Sequence, residues 1–141
     1  MLKVLLAVDG SESSLHAVEY VVKRAGTSKD GYQVHLVNVQ YPLHGSVAAF
    51  VDASQIKQYH HDEGMKVLAP AKEKLEAAGI PFYAHLFVGE PAEVIARCAK
   101  EQYCDEIVIG TRGLSGISSL LVGSVAAKII HLAEVPVLLV K

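Results

Sequence analysis

Hydrophobic positions along this chain fall into two alternating patterns. Short unbroken apolar runs are separated by longer stretches in which apolar residues recur every three or four positions. Residues 4–8, Val4-Leu5-Leu6-Ala7-Val8, form the first run, closed by Asp9-Gly10-Ser11. An unbroken run bounded by turn formers predicts a strand covered on both faces. Ser11 then offers a helix N-cap. Leu15, Val18, Val21 and Val22 follow at helical spacing, with Gly26 as the expected stop. Residues 34–39 give a second strand, and residues 41–46 a loop.

Asp52 or Ser54 is placed to cap a long helix that ends at Gly79, with Pro70 inside it. An interior proline removes one hydrogen bond and crowds the preceding turn, so a kink or two successive helices is expected. Residues 81–88 form a third strand. Gly89-Glu90-Pro91 turns the chain, with Pro91 suited to the first helical position. Val94, Ile95, Cys98 and Ala99 supply the inner face of the next helix. Residues 106–109 make a fourth strand, 124–133 a helix, and 136–140, opening at Pro136 and ending at Val140, a fifth strand.

Strand and helix therefore alternate throughout. This order predicts an α/β fold in one domain over residues 1–141. Its core is an open five-stranded parallel sheet with helices on both faces, Rossmann-like in plan. Right-handed crossovers with one reversal give strand order 3-2-1-4-5. The reversal lies between the first strand, ending at Asp9, and the fourth, ending at Gly110. Ligands of such sheets bind outside the carboxyl ends of the strands at that crevice.

Composition fits this picture and narrows the partners. The chain has 141 residues, 51% of them hydrophobic, and a formal net charge of -2. Its length fits a single full-sized core. The mild negative charge and the lack of a basic stripe argue against nucleic acid as partner. The N-terminal apolar run is too short for a signal sequence or a membrane span, so a cytoplasmic protein with no membrane partner is expected. Cys98 and Cys104 do not have the spacing of a zinc knuckle or a redox pair, and are expected as free buried thiols in a reducing compartment.

Chemistry concentrates after the fourth strand, in Gly110-Thr111-Arg112-Gly113-Leu114-Ser115-Gly116 and then Gly123-Ser124-Val125. Glycines let the backbone take positive φ and let a ligand approach its N–H groups. A helix N-terminus behind them suits phosphate. Ser124 stands where that helix starts, as a phosphate donor or a cap, and Arg112 is either a phosphate contact or a surface charge. The segment is neither a Walker loop nor a dinucleotide fingerprint, nor a nucleophile elbow. From the pattern alone, a phosphate cradle and a plain glycine turn both stand. His60-His61-Asp62-Glu63 looks like a metal cluster, but adjacent helical residues diverge, and a solvated helix face is expected. His16, His35, His85 and His131 are scattered. Glu12 and Glu90, near the crevice, are read as structural acids.

Gly110-x-x-Gly113, nine residues, then Gly123-Ser124 resembles the G-x2-G-x9-G-[ST] pattern of the ATP-binding universal stress proteins. The resemblance extends over the whole chain. It includes Val8-Asp9-Gly10-Ser11, Val88-Gly89-Glu90-Pro91, Ser124-Val125-Ala126 and the final run from Val135. It implies binding of ATP, or else AMP or ADP, together with Mg²⁺. Residues 110–116 (Gly110, Thr111, Arg112, Gly113, Ser115 and Gly116 among them) would wrap ribose and phosphates. Gly123, Ser124 and Val125 would complete the phosphate site. Asp9 would face the ribose or a metal ion, and backbone near Ala7 and Val39 would line the adenine pocket. Many members carry a basic residue near Ser118 or Ser119, where this chain has serines. Phosphate charge would then rest on backbone N–H groups, Arg112 and Mg²⁺.

The last strand is an apolar sheet edge, an aggregation hazard unless covered. Pairing with its own copy about a two-fold axis would cover it, and the resemblance points to the same homodimer. No general base is placed by the sequence, so a regulatory nucleotide-binding module is expected rather than a fast enzyme. The alternatives are a slow Mg-dependent ATPase or phosphotransferase using Asp9, and an interaction protein with an empty loop.

Overall fold

A computed structural model describes residues 1–112 and 122–141. The elements follow in the order β1 (Leu2–Ala7), α1 (Glu12–Thr27), β2 (Tyr32–Gln40), α2 (Ser46–Phe50), α3 (Ala53–Ala77), β3 (Phe82–Val88), α4 (Pro91–Glu101), β4 (Glu106–Gly110), α5 (Ser124–Leu132) and β5 (Val137–Val140). The strands form one parallel sheet in the order β3-β2-β1-β4-β5, as the alternation of patterns predicts. Register brings the strand ends level: Ala7 lies beside Val37 on one side and Ile109 on the other.

Alternate side chains of β1 serve two cores. Val4, Leu6 and Val8 pack with Ala17, Val18 and Val21 of α1 and Leu68, Ala71 and Leu75 of α3. Leu5 and Ala7 pack with Ile95 and Cys98 of α4 and with Ala126 and Ile129 of α5. Both faces of the central strand are therefore buried, which is why its sequence is unbroken rather than alternating. Each fully buried Leu or Val contributes roughly 1.5–3 kcal/mol relative to exposure.

Local signals set most of the helix ends. The Ser11 side chain accepts the Ser14 N–H at the start of α1. Asp52, not Ser54, caps α3 through a reciprocal box with Gln55. Glu90 caps α4, with Pro91 opening it. Three expectations need correction. Helix α1 runs through Gly26 to Thr27, whose hydroxyl donates to the Arg24 carbonyl at 2.9 Å. Helix α3 is one element across Pro70, not two successive helices. Leu68 and Ala71 are buried on either side of that proline, and their packing holds the helix together despite the lost bond. Residues 46–50, beyond the expected loop, form the short helix α2.

Both cysteines are free and buried. Burial raises both thiol pKa values, that of Cys104 to about 11. No described helix is long and apolar enough to cross a membrane.

Candidate functional site

Where β1 and β4 diverge in their connections, the carboxyl ends of β1, β2 and β4 open into a cleft of about 510 Å³. Its near wall is the strand ends themselves: Ala7, Val8 and Asp9 from β1, Asn38 and Val39 from β2, Gly110 from β4. Helix α5 closes the far side with Gly123, Ser124 and Val125.

The segment after β1 is held rigidly. Gly10 has φ +88°, a left-handed conformation that favours glycine. Oδ1 of Asp9 accepts the Ser11 N–H at 2.9 Å, an Asx turn that fixes the carboxylate at the cleft.

Two serines at the N-terminus of α1 hold Arg112, at the start of the glycine-rich segment. Ser11 Oγ donates to the Arg112 carbonyl at 3.2 Å. Ser13 Oγ donates to the Val140 carbonyl at 3.2 Å and accepts the Arg112 N–H at 3.3 Å. Ser14 Oγ donates to the Ser11 carbonyl at 3.0 Å. Thr111 N–H donates to the Val140 carbonyl at 2.8 Å, and Gly123 N–H to the Thr111 carbonyl at 2.6 Å. The two ends of the segment thus meet at the cleft.

Glycine at position 110 has a different reason from the one expected. It lies outside the positive-φ glycines. A Cβ there would stand 2.7 Å from the Ser13 carbonyl carbon and 2.8 Å from its oxygen. The missing side chain lets the first turn of α1 close onto the end of β4. Gly123 likewise has an ordinary φ of -59° and is the N-cap of α5, with no side-chain cap bond. Ser124 is therefore the first residue of the helix, not its cap. Its side chain is exposed at the cleft beside the unpaired N–H groups of the first turn.

Every described residue expected in the site lines this one cleft: Ala7, Asp9, Val39, Gly110, Thr111, Arg112, Gly123, Ser124 and Val125. Gly113, Ser115 and Gly116 lie outside the described residues. Chemically, the cleft combines an apolar strand-end floor, the two carboxylates of Asp9 and Glu63, one guanidinium and a helix N-terminus.

Sequence reasoning missed the contribution of α3. Tyr59, Glu63 and Val67 stand on one face of that helix and line the cleft opposite the strand ends. Their spacing of four was the available signal. It also missed Asn38, a polar residue inside an apolar strand. Asn38 is 3% exposed and its Nδ2 donates to the Val8 carbonyl at 2.9 Å.

The histidine-rich run is not the uniformly solvated face expected. His61 and Asp62 are exposed, but His60 is buried against β2, and Glu63 reaches the cleft. His35 and His85, scattered in sequence, are hydrogen-bonded partners on β2 and β3 at 3.0 Å. The structural acid Glu90 is confirmed in that role by its cap bond to the Glu93 N–H at 2.9 Å.

The fold and cleft define a class: open parallel-sheet proteins that bind ligands at the strand-order reversal. Within that class, the family model described as the universal stress protein family matches residues 1–141, and the chain belongs to that family. Universal stress protein YxiE of Bacillus subtilis is 34% identical, over 99% of this chain and 98% of its own length. The solved structure of the protein MJ0577 is similar with TM-score 0.84 and 28% identity, covering 99% of this chain and 94% of that one. A universal stress protein family protein from Arabidopsis thaliana, solved with AMP bound, is similar with TM-score 0.73 and 26% identity. That match covers 100% of this chain and 92% of the other.

Proposed function

We propose that residues 1–141 act as one cytoplasmic adenine-nucleotide-binding regulatory domain, with ATP as the ligand, or AMP or ADP in its place. The observation that carries this reading is convergence. Residues separated by more than a hundred positions in sequence line a single cleft at the strand-order reversal. The similar Arabidopsis protein solved with AMP bound supports adenine as the base.

In this reading the base lies on the apolar floor near Ala7 and Val39. The Asp9 carboxylate, with Oδ1 already accepting from Ser11, has its other oxygen left for the ribose hydroxyls or a Mg²⁺ ion. The phosphates lie at the N-terminus of α5, against Gly123, Ser124 and Val125, with Arg112 as counter-charge. Thr111, Gly110 and the segment containing Gly113, Ser115 and Gly116 wrap ribose and phosphates. Among the described residues no histidine, cysteine or lysine lines the cleft, and its acids are Asp9 and Glu63; the role proposed is binding rather than fast chemistry.

The free edge of β5, whose residues are all part-exposed, pairs with its copy to make a homodimer. The deciding experiment is to denature purified protein, separate the released small molecules by anion exchange, and titrate ATP and AMP back with and without Mg²⁺ in a calorimeter. Adenine nucleotide in the extract or saturable add-back heat supports the reading. A clean extract with no heat refutes it and favours an interaction protein.

A further inference from the structure

At the carboxyl ends of β2 and β3, beside the first turns of α3, lies a second cavity of about 500 Å³. Its wall is mostly apolar, with Leu43, Ile56, Leu86 and Phe87 prominent. One ring in that wall, His60, is polar yet only 7% exposed.

The protonation of His60 follows from its neighbours. Asn38 Nδ2 donates to the Val8 carbonyl, so Asn38 Oδ1 is free to accept. Gln40 Nε2 donates to that Oδ1 at 3.2 Å and to the His60 carbonyl at 2.8 Å. Both hydrogens of the Gln40 amide are thereby used, which fixes its orientation. Gln40 Oε1 then faces His60 Nδ1 at 2.9 Å. An amide oxygen only accepts, so Nδ1 carries a proton, and in the Nδ1–H tautomer Nε2 is a lone-pair acceptor. Nε2 is buried, and no described group donates to it. Buried polar atoms without partners are costly and uncommon.

We infer that this cavity is a binding site for a small uncharged molecule with an apolar, phenol-sized body and one hydroxyl group, which donates to His60 Nε2. The chemistry of the wall selects this class. Among the described residues no Asp or Glu lines the cavity, while Lys57 does, which disfavours an ammonium donor. A buried water needs two to four polar partners, and an apolar wall suits a ligand that needs only one. Nε2 is closed off in this conformation. Nε2 has almost no exposed surface, so a hydroxyl reaches it only when a side chain of the cavity wall moves.

The test uses the nucleotide-free full chain, so failure of the nucleotide reading leaves it intact. Histidine ring ¹⁵N shifts report the tautomer, and 4-ethylphenol serves as probe against 4-ethyltoluene, its near-isostere without a donor. The expected result is His60 in the Nδ1–H form. 4-Ethylphenol should shift the His60, Leu86 and Val88 signals saturably, and bind roughly tenfold more tightly than 4-ethyltoluene. An Nε2–H tautomer, equal affinity for the two probes, or no saturable shift up to the solubility of the phenol would each overturn the assignment. No variant is required, so loss of folding cannot mimic a negative result.

Discussion

Gly110→Ala puts a methyl group where the first turn of α1 meets β4. The new Cβ would lie 2.7 Å and 2.8 Å from Ser13 backbone atoms. Ordinary contact begins near 3.4 Å, so α1 or β4 must shift by several tenths of an ångström. Overpacking of this kind costs about 1–3 kcal/mol. The shift also strains the two bonds of Ser13 Oγ, to the Val140 carbonyl and from the Arg112 N–H, each worth about 0.5–1.5 kcal/mol. A total loss of about 2–4 kcal/mol follows, or a fall in Tm of roughly 6–15 °C for a domain of this size. Differential scanning calorimetry of the nucleotide-free protein measures it. Ser13→Ala on its own should cost about 1–2 kcal/mol, and adding it to Gly110→Ala should not rescue stability, because it removes the contact with Ser13 Oγ and leaves the two with the Ser13 backbone. A Tm within 1 °C of the parent, or rescue by Ser13→Ala, refutes the packing argument and returns Gly110 to the role of ligand approach alone.

Ser124→Ala should leave Tm unchanged within about a degree, because the hydroxyl caps nothing. It should weaken ATP by roughly ten-fold or more, the loss of one bond to a charged group; unchanged affinity by calorimetry removes Ser124 from the site. His35 and His85 are held below the usual histidine pKa by burial, His35 further by His85 and Lys3. The unfolded chain then binds more protons than the fold, so their contribution is full above about pH 6.5 and is lost as pH falls below it. Urea midpoints at pH 7.5, 6.0 and 5.0 should decline, and His85→Phe should flatten the decline; a flat parent profile counts against the pair. Sedimentation equilibrium at micromolar concentration should give twice the chain mass, and Leu139→Lys on β5 should return it to the monomer. A monomeric parent rules out the edge pairing.

Most of the sheet was legible because burial on two faces leaves a simple trace. Residues 4–8 are continuous in hydrophobicity since alternate side chains meet the two helix layers, and residues 34–39 depart from that only at His35 and Asn38. Edge strands carry less of this signal. In β3, Tyr83 and Val88 are exposed while Leu86 packs inward, so its apolar residues report propensity more than burial. The helix punctuation misled at Gly26 and Pro70 for one reason. A breaker costs about 1–3 kcal/mol, and a helix anchored by several buried side chains outweighs that. At Ser11, and at Asp52 as one of the two candidates for α3, the cap was legible without tertiary help.

The cleft was legible in a more uneven way. Its two principal edges are continuous in sequence, because a parallel strand delivers its next residues to the carboxyl end of the sheet. Asp9 and the residues from Gly110 onward could therefore be assigned from strand order alone. Helix α3 returns over the same end from a distance, and which of its faces points inward depends on packing that no local pattern encodes. Gly64 shows the constraint. A Cβ at that position would run into Leu86 Cδ2 of β3 and come within 3.1 Å of Gln40 Nε2 of β2, so side chains of both strands fill the space Gly64 leaves. There the Gln40 amide meets the carbonyl and ring of His60, one turn earlier on α3. One glycine in the middle of a helix, read locally as a mild weakness, leaves room for the strand side chains that pack beneath the third wall of the site.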